Sequence, residues 1–391
     1  MRILHVIPSV SPARGGPSVA IRMMQRALSA AGADVTVLTT DDDGPGRRDR
    51  NLPLGRAVVS DGADWLYFAK DLDFYTVSLG ARRWLRRHAG DFDAVHIHAV
   101  FSFTSIVAAQ AARRAGVPYI IRPLGVLNRY GMTARRPLLK AISMRLFERR
   151  ILTGAAAIHF TAKQEAEEAR HLGLDLRGEI LPLAVEPQPA GDAGRWLALH
   201  PHLRDRFRIL YLSRLDPKKN LEGLLGAVGR LSGQGRPVAL MVCGGGDAAY
   251  EASLRDSARR AGAGDAVTWL GHVSGEGKAD AMAAADLFVL PSHSENFGIA
   301  VVEALSTGLP VVVSRGVGVS DDLERAGAAR ICDTSAEDIA AKIAVLIDDP
   351  DARRTLAKAG AALYRDAYGT ERMAERLCDL YRRVVNGKGS A

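Results

Sequence analysis

Residues 291–314 read Pro291-Ser-His-Ser-Glu-Asn-Phe-Gly-Ile-Ala-Val-Val-Glu-Ala-Leu-Ser-Thr-Gly-Leu-Pro-Val-Val-Val-Ser314. This order predicts a strand end, a loop that opens on Glu295, a short helix that contains Glu303, and a new strand after Gly308. The predicted helix start presents the backbone N–H groups of four residues: Asn296, Phe297, Gly298 and Ile299. Such a start is an anion site, and the two carboxylates beside it can bind hydroxyl groups. A ligand with a central diphosphate and a polyol at each end, a nucleotide sugar, fits this arrangement.

Strands and helices alternate on both sides of this stretch, which predicts parallel sheets covered on both faces. The alternation is interrupted at residues 188–204, which are rich in Pro, Gly and Ala and lack hydrophobic periodicity. The predicted fold class is therefore α/β, with doubly wound domains at residues 1–187 and 205–369 and a linker between them. Doubly wound domains bind ligands at the carboxyl ends of their strands, so we expect a shared site in a cleft between the two domains.

The pair Glu295 and Glu303, followed by Ala-Leu-Ser-Thr-Gly-Leu-Pro-Val-Val, resembles the Glu-x7-Glu signature of the retaining glycosyltransferases of family 4. That family has the GT-B fold, in which two Rossmann-like domains face each other across a cleft. The resemblance covers nearly the whole chain. It implies an acceptor-side domain at 1–187, a nucleotide-sugar-binding domain at 205–369, and a C-terminal helix within 370–391 that crosses back to the first domain. It also implies that Glu303 binds the ribose and Glu295 the transferred sugar.

Two cations follow the first predicted strand of the second domain, in Leu212-Ser-Arg-Leu-Asp-Pro-Lys-Lys-Asn220. Arg214 and Lys219 can neutralise a diphosphate and stabilise it as a leaving group. The segment resembles the family's Gly-Arg-Leu-x-x-x-Lys-Gly, although a serine and an asparagine stand where the glycines are usual. Lys218 is a second candidate for the acting lysine, and the spacing favours Lys219.

Glycines mark two further turns. Gly15 and Gly16 follow the first strand and open the first helix, where the backbone can approach a phosphate or a sugar closely. Gly244, in Gly244-Gly-Gly-Asp247, ends a strand of the second domain and resembles the family's turn beside the nucleotide. A generic tight turn is the alternative reading for each.

His96 and His98 alternate at the carboxyl end of a predicted strand, so both lie on one face. No nearby carboxylate or cysteine completes a ligand set, and the sequence therefore predicts no metal. The resemblance implies that His98 contacts the donor sugar near the reacting carbon, whereas His96 is expected to be a hydrogen-bonded strand residue. Arg122 is a candidate cation of the cleft, and His159 is expected to pack in the interior.

The formal net charge of +8 is unevenly distributed along the chain. Seven basic residues lie between 129 and 150: Arg129, Arg135, Arg136, Lys140, Arg145, Arg149 and Arg150. Leucine, isoleucine and phenylalanine are interleaved with them, a pattern that suits an anionic membrane surface. An arginine-rich composition is the alternative explanation. No nucleic-acid-binding motif accompanies the charge, so no nucleic-acid partner is predicted.

The cysteines, Cys243, Cys332 and Cys378, are too few and too scattered for a disulfide framework or a zinc site. No signal peptide is evident and no apolar run approaches the thickness of a bilayer. We expect a cytoplasmic protein, with peripheral attachment to the inner face of the cytoplasmic membrane if the basic segment binds lipid. The acidic run Asp41–Asp43 precedes a Gly- and Arg-rich segment and is predicted to be a solvated loop.

Together these features predict a retaining, metal-independent hexosyltransferase that needs no cofactor. It would transfer a sugar from a UDP- or GDP-sugar to a glycan or polyprenyl-linked acceptor in bacterial cell-surface polysaccharide synthesis. A sugar-nucleotide epimerase of the same fold, which acts on the donor without an acceptor, is one alternative. A non-catalytic nucleotide-sugar binder is another.

Overall fold

The computed structural model of the chain describes residues 1–133 and 136–387. Its strands are Arg2–Val6 (β1), Asp34–Thr40 (β2), Ala57–Ser60 (β3), Ala63–Phe68 (β4), Ala94–His98 (β5), Tyr119–Arg122 (β6), Ala157–Phe160 (β7), Gly178–Ile180 (β8), Phe207–Leu212 (β9), Val238–Cys243 (β10), Val267–Gly271 (β11), Leu287–Leu290 (β12), Val311–Ser314 (β13) and Ala329–Cys332 (β14).

Its α-helices are Gly16–Ala30 (α1), Leu79–His88 (α2), Phe103–Arg114 (α3), Arg129–Thr133 (α4), Pro137–Ser143 (α5), Arg149–Thr153 (α6), Lys163–Ala169 (α7), Ala193–Leu199 (α8), Leu221–Gly233 (α9), Ala248–Arg260 (α10), Gly275–Ala284 (α11), Ile299–Ser306 (α12), Ser320–Arg325 (α13), Ala336–Asp348 (α14), Pro350–Leu363 (α15) and Thr370–Asn386 (α16). In the part of the chain described, no helix is both long enough and apolar enough to cross a membrane.

The chain forms two compact units. The first comprises Met1–Ala184 and Thr370–Ala391, of which residues 388–391 lie outside the described ranges, and the second comprises Val185–Gly369. Each unit is built on a largely parallel sheet with helices between successive strands, so the predicted α/β class with two doubly wound domains is confirmed. Alternating strands and helices dictate this arrangement because a parallel neighbour needs a crossover connection.

The first unit has an eight-stranded sheet in the order β3-β4-β2-β1-β5-β6-β7-β8, and only β3 pairs antiparallel with its neighbour. The order reverses between β1 and β5, which places the carboxyl ends of these two strands at the switch point where such sheets bind ligands. The edge strand β3, its neighbour β4 and the helix α2 have no counterpart in the sequence analysis. Strand β3 has four residues and is half exposed, so it gives only a short form of the apolar run that marks a central parallel strand.

The second unit has a six-stranded parallel sheet in the order β11-β10-β9-β12-β13-β14. Its switch point lies between β9 and β12, the two strands that precede the predicted Arg/Lys and Glu segments. The sheet is buried on both faces, and residues of β10, β12 and β13 are fully covered. The topology therefore brings the Arg/Lys segment after β9 and the Glu segment after β12, which are far apart in sequence, to the same edge of the sheet.

The predicted linker at residues 188–204 is wrong, because these residues belong to the second unit. Asp192 accepts a hydrogen bond from the backbone N–H of Arg195 and so caps the helix α8, whose Trp196 is buried. Arg195 also pairs with Asp280 of α11, with 2.5 Å between Nε and Oδ2. A short capped helix is thus present where the composition indicated a linker.

The predicted solvated loop at Asp41–Asp43 is also wrong for its first two residues, which are buried. The Oδ1 atom of Asp42 accepts a hydrogen bond of 2.7 Å from Lys70 Nζ, and Oδ2 accepts one of 2.9 Å from Arg14 Nε. Burial by itself raises the pKa of Asp42, but the hydrogen bonds from Lys70 and Arg14 outweigh it and lower that pKa overall. A paired buried carboxylate anchors this loop.

The segment from Pro137 to Thr153 is helical throughout but contains a π-helical turn, Met144–Glu148, between α5 and α6. The wider turn places Glu148 in the interior, where its Oε1 accepts a hydrogen bond of 3.0 Å from the N–H of Phe101. Arg135, one of the seven basic residues of this segment, lies outside the described residues.

Candidate functional site

The segment after β9 is a turn held by its own polar residues. Asp216 caps the 3₁₀ turn Pro217–Lys219 through a hydrogen bond from the N–H of Lys218. Asn220 follows in the left-handed region, with φ of 52°, and its Nδ2 donates to the carbonyl oxygens of Pro291 and Thr334. Asparagine is one of the few residues other than glycine that adopts this conformation readily, which explains why it can replace the glycine usual in the family.

Lys219 and Glu295 form an ion pair between Nζ and Oε2, and both side chains are largely buried. The backbone of the neighbouring Lys218 also contributes, because its carbonyl oxygen accepts a hydrogen bond of 2.7 Å from the N–H of His293. The lysine turn after β9 is therefore tied to the glutamate loop after β12 by a backbone bond and by an ion pair. The structure brings Lys219, which the spacing favoured, to the glutamate.

Glu303 lies on α12 and is 9% exposed. Lys278 of α11 reaches it, with 2.8 Å between Nζ and Oε1. Burial of a carboxylate is costly unless a cation or a hydrogen-bond donor compensates for the lost water, and Lys278 is that partner here. Sequence reasoning missed Lys278, which lies 25 residues before the glutamate in a segment without a motif of its own.

The loop that carries Glu295 is clamped by the segment after β13. The N–H of Glu295 donates to the carbonyl of Gly316, and the N–H of Gly318 donates to the carbonyl of Glu295, each over 2.8 Å. A Cβ at Gly318 would lie 2.0 Å from the carbonyl oxygen of Asn296, and one at Gly316 would lie 2.4 Å from that of Ser292. These two glycines were also missed, although their spacing directly after a strand was a usable signal.

A Gly318→Ala variant should therefore be less stable than the wild type. Its new Cβ meets backbone, which cannot move away as a side chain can, and overpacking of this kind costs about 1–3 kcal/mol. The melting temperature of the second unit should fall by about 2–4 °C per kcal/mol in differential scanning calorimetry. Gly233→Ala is the matched control because its Cβ would meet nothing within 4 Å. Equal melting temperatures in the two variants would contradict the clamp.

The start of α12 has the geometry predicted for an anion site. Gly298 caps the helix with φ of 100°, a conformation that glycine adopts without strain. Phe297 is buried and packs edge-on against Tyr368 at 5.7 Å between ring centroids. Among the described residues no group accepts a hydrogen bond from the N–H of Phe297 or of Gly298. Contact of residues 296–299 with a donor stays a prediction.

Position 244 must be glycine because the backbone of a neighbouring loop lies too close for a side chain. With φ of 153°, its Cβ would lie 1.8 Å from the carbonyl oxygen of Ser213, so no larger residue fits without movement of the turn. The N–H of Leu215 donates to the carbonyl of Gly245 over 3.0 Å, which ties the same two loops together. Arg214 lies between these contacts and is exposed, and no carboxylate in residues 1–133 or 136–387 pairs with it. The turn therefore positions a cation that a ligand can reach.

In the first unit, Gly15 adopts φ of 69° and precedes the first turn of α1. Its N–H donates to the carbonyl of Pro12, and its own carbonyl accepts from the N–H of Ser18. The positive φ explains the glycine at position 15. For Gly16 the helix start explains the position, and phosphate contact by either residue stays a prediction.

Four histidines of the first unit lie together, all fully buried. His98 Nε2 is 2.8 Å from His5 Nδ1, and His96 Nδ1 is 2.8 Å from the hydroxyl of Tyr381 on α16. His159 packs beside them, as expected, with Nδ1 3.3 Å from His96 Nε2. Sequence reasoning missed His5, since its partners lie on β5 and no local pattern marks it.

Burial is the main reason why these imidazoles are neutral. It lowers the pKa of His5 and that of His159 to about 3, and it lowers the pKa of His96 and that of His98 well below the usual range. The charge of Arg122 contributes to the lowering of all four pKa values.

A metal fits this cluster poorly. Ligand nitrogens of three of the histidines, His5, His96 and His98, lie within 4.8 Å of one another, close enough for a metal site. Hydrogen bonds already occupy both nitrogens of His5 and His96 and one nitrogen of His98, however, and the buried guanidinium of Arg122 opposes a second cation. The donor set therefore favours a hydrogen-bonded network, and the absence of a metal stays a prediction.

Arg122 ends β6 as the strand partner of His98 and is 2% exposed. Burial lowers its pKa to about 10, although the charge of Glu165 acts in the opposite direction. Glu165 accepts hydrogen bonds of 2.7 Å from the N–H groups of Gly125 and Thr161. In the described chain, Nε and Nη1 of Arg122 have no partner. The predicted cation is therefore buried with unused donors.

Two family models match the chain in succession. The "Glycosyl transferase 4-like domain" matches residues 15–184, and "Glycosyl transferases group 1" matches residues 198–362. Together these matches cover most of both units.

Relatives and a solved structure agree with these matches. The D-inositol 3-phosphate glycosyltransferase of Paenarthrobacter aurescens is 26% identical, over 98% of this chain and 97% of that protein. The phosphatidyl-myo-inositol mannosyltransferase of Mycobacterium leprae is 29% identical, over 80% and 78%. The crystal structure of Anabaena HepE in complex with UDP-glucose has a TM-score of 0.76 at 16% identity, with coverage of 97% of this chain and 99% of that one. With two parallel-sheet units and these relatives, the chain belongs to the GT-B glycosyltransferases of family 4.

Proposed function

We propose that this glycosyltransferase retains configuration, needs no metal, and transfers a sugar from a nucleoside diphosphate sugar to a glycan or lipid-linked glycan of the bacterial cell surface. The observation that carries the proposal is the pair of lysine-held carboxylates at the carboxyl edge of the second unit's sheet, Glu295 with Lys219 and Glu303 with Lys278. In each pair the lysine contacts one carboxylate oxygen, which leaves the other oxygen to accept hydrogen bonds from hydroxyl groups.

The proposed roles are those that the family resemblance implies, and this arrangement supports them. Glu303, in the second turn of α12, binds the ribose hydroxyls, and Glu295, in the loop before that helix, binds hydroxyls of the transferred sugar. Arg214 and Lys219 stabilise the negative charge that develops on the leaving diphosphate, which is usually the largest single contribution to catalysis. The same proposal includes contacts to the nucleotide sugar from further residues. These are Gly15, Gly16, Gly244, residues 296–299, His98 and Arg122.

Retention is proposed to proceed by attack on the same face of the sugar as departure. The bond between the anomeric carbon and the phosphate oxygen breaks, and a bond forms between that carbon and the acceptor oxygen. The acceptor hydroxyl gives its proton to the leaving phosphate. The cations take the part that a metal plays in other nucleotide-sugar enzymes, because they supply positive charge at the diphosphate without one.

The donor and the acceptor are proposed at the level of chemical class. The solved neighbour in complex with UDP-glucose supports a UDP-sugar, and a GDP-sugar is the other candidate. Both relatives are named for inositol-containing acceptors, one of them a phospholipid, which supports an acceptor with a polyol on a phosphate.

Donor turnover with and without an acceptor tests this function against its alternatives. Purified protein is incubated with UDP-glucose or GDP-mannose, alone or with inositol phosphate or phosphatidylinositol vesicles, and the products are identified by NMR. Release of nucleoside diphosphate that depends on the acceptor, with an α-configured product from these α-configured donors, supports the proposal. Conversion of the donor to another nucleotide sugar without acceptor would instead support an epimerase, and binding without turnover would support a non-catalytic protein.

A membrane surface is proposed as a further partner, through the basic segment at residues 129–150. Leu138, Ile142 and Leu146 are 79%, 56% and 60% exposed, which is unusual for large apolar side chains on successive turns. Lys140 and Arg145 lie between them in sequence. Apolar side chains flanked by cations suit the boundary between headgroups and acyl chains of an anionic bilayer.

Substitution of Leu138, Ile142 and Leu146 by serine should weaken binding to vesicles that contain phosphatidylglycerol by at least about tenfold, since each buried side chain contributes about 1.5–3 kcal/mol. Co-sedimentation with vesicles measures the effect. Leu199→Ser, which removes a side chain that is 71% exposed in the second unit, is the control and should bind as the wild type does. Equal binding by the triple variant and the wild type would remove the membrane from the proposal.

A further inference from the structure

A continuous row of polar groups crosses the interior of the first unit and ends at His98. We call it the histidine chain, and its members in order are the carbonyl of Leu181, His159, His96, Tyr381, His5 and His98. The four imidazoles are neutral for the reasons given above, and burial raises the pKa of Tyr381, so the phenol keeps its proton. Each hydrogen bond of the chain therefore contains a single proton, and a neutral imidazole supplies one donor and one acceptor.

The first link fixes the direction of the chain. A carbonyl oxygen only accepts, so the contact of 2.8 Å between Leu181 O and His159 Nε2 requires the proton on Nε2. The other nitrogen of His159, Nδ1, is then an acceptor. Because it lies 3.3 Å from Nε2 of His96, the proton of His96 must be on that Nε2.

Tyr381 continues the same direction of donor and acceptor along the histidine chain. With its proton on Nε2, His96 accepts at Nδ1, and the Tyr381 hydroxyl donates to that atom over 2.8 Å. The phenolic oxygen then accepts from Nε2 of His5 at 3.4 Å, which places the His5 proton on Nε2. The reverse tautomer of His5 would place its Nε2 lone pair against a lone pair of the phenolic oxygen.

The chain ends with a defined atom on His98. Nδ1 of His5 accepts over 2.8 Å, so Nε2 of His98 donates and Nδ1 of His98 carries a lone pair. That Nδ1 is buried and has no partner in the described part of the chain. A buried acceptor without a donor is costly, which makes a ligand hydroxyl its natural partner.

The adjacent strand supplies complementary groups. Arg122 is the β6 partner of His98, and its Nε and Nη1 donors are buried and without partners among the residues described. An acceptor therefore lies beside unused donors at the carboxyl ends of β5 and β6. This combination matches a ligand that donates a hydroxyl proton to His98 and presents an oxygen acceptor to Arg122.

We infer that His159, His96, Tyr381 and His5 are positioning residues that hold His98 as a hydrogen-bond acceptor for a substrate hydroxyl. His98 then orients a sugar or acceptor hydroxyl through Nδ1 and does not donate a proton to the leaving phosphate. The assignment of the ligand group rests on the proposed function, whereas the tautomer of His98 does not.

The imidazole tautomers of protein labelled with ¹⁵N-histidine test the chain directly through two-bond ¹H–¹⁵N correlations. In the wild type, all four buried histidines should carry their proton on Nε2 alone. Tyr381→Phe removes the donor to His96 and the acceptor for His5, so His5 becomes free to donate from Nδ1. His98 should then show a second population with its proton on Nδ1, and kcat for release of nucleoside diphosphate should fall about tenfold.

Tyr119→Phe is the matched control. Its hydroxyl donates to the carbonyl of Ile151 over 2.8 Å in the same unit, so it loses a buried phenol hydrogen bond without contact to the chain. It should leave the tautomer of His98 and kcat unchanged. A proton on Nδ1 of wild-type His98, or a Tyr381→Phe variant with the wild-type tautomers, would overturn the inference. If no nucleotide sugar is turned over, the proposed function fails. The NMR comparison still shows whether the histidine chain fixes the tautomer of His98.

Discussion

A Lys219→Met variant is expected to lose on the order of a hundredfold in kcat for release of nucleoside diphosphate, by analogy with the loss of one preorganised donor at a developing anion. The substitution removes a charge from the leaving diphosphate. It also leaves Glu295 without the ammonium group that holds it. Arg214→Met should cost a similar factor, because that side chain is a cation without a carboxylate partner in the described ranges.

Lys218→Met provides the control for Lys219→Met. Lys218 adjoins Lys219 and has the same charge, but its contacts to Asp216 and His293 are made by its backbone, which the substitution retains. We expect a loss of less than about fivefold, because the backbone contacts that tie the turn to the glutamate loop remain. Equal losses for Lys218→Met and Lys219→Met would indicate only a general effect of charge. A loss below about fivefold for Lys219→Met would remove that lysine from the mechanism.

Glu295→Gln should lower kcat by roughly 10- to 100-fold while the Kd for free UDP or GDP stays near the wild-type value. A charged hydrogen bond contributes about 1.5–3 kcal/mol, and in the proposed arrangement Glu295 makes its bonds to the transferred sugar, which a free nucleotide lacks. Stopped-flow or steady-state turnover measures kcat, and isothermal titration calorimetry measures Kd.

The same pair of measurements on Glu324→Gln serves as reference. Glu324 is exposed and pairs with Arg315 at the surface of the second unit, so neither quantity should change. If Glu295→Gln weakens the binding of free nucleotide as strongly as it slows turnover, Glu295 binds the nucleotide rather than the sugar. The proposed roles of the two glutamates must then be exchanged.

The fold class could be predicted from the sequence because the hydrophobic pattern that marks each strand and helix is local and recurs along the chain. Buried parallel strands such as β10 are continuous apolar runs, and the helices between them restart the pattern. The turn at Asn220 and the helix after Gly298 could likewise be placed from residue types within a few positions of each other.

Groups that meet only through topology could not be predicted from local patterns. His5 is 93 residues from His98 along the chain, and Lys278 is on a different helix from Glu303. Neither has a sequence neighbour that marks it as part of a site. Their roles depend on the order of strands in the sheet, which brings the ends of β1 and β5 together.

The incorrect predictions have a related cause. Asp42 appeared solvated because an acidic run beside Gly and Arg usually is, and only the position of Lys70 beyond the next two strands shows that it is paired and buried. The segment with α8 resembled a linker because a helix of seven residues gives too few turns for a periodic pattern. The hydrogen bond from Arg195 to Asp280 of α11 stabilises it instead.

Nucleotide binding by the purified protein tests the central claim most directly. Melting temperatures are measured with UDP, GDP, ADP and their common sugar conjugates, for the wild type and for Glu303→Ala. A ligand that binds only the folded state raises the melting temperature by mass action. We predict a rise with one of the bases that is abolished or strongly reduced in Glu303→Ala, because the carboxylate held by Lys278 binds the ribose. No rise with any nucleotide would contradict the assignment of this site to a nucleotide sugar.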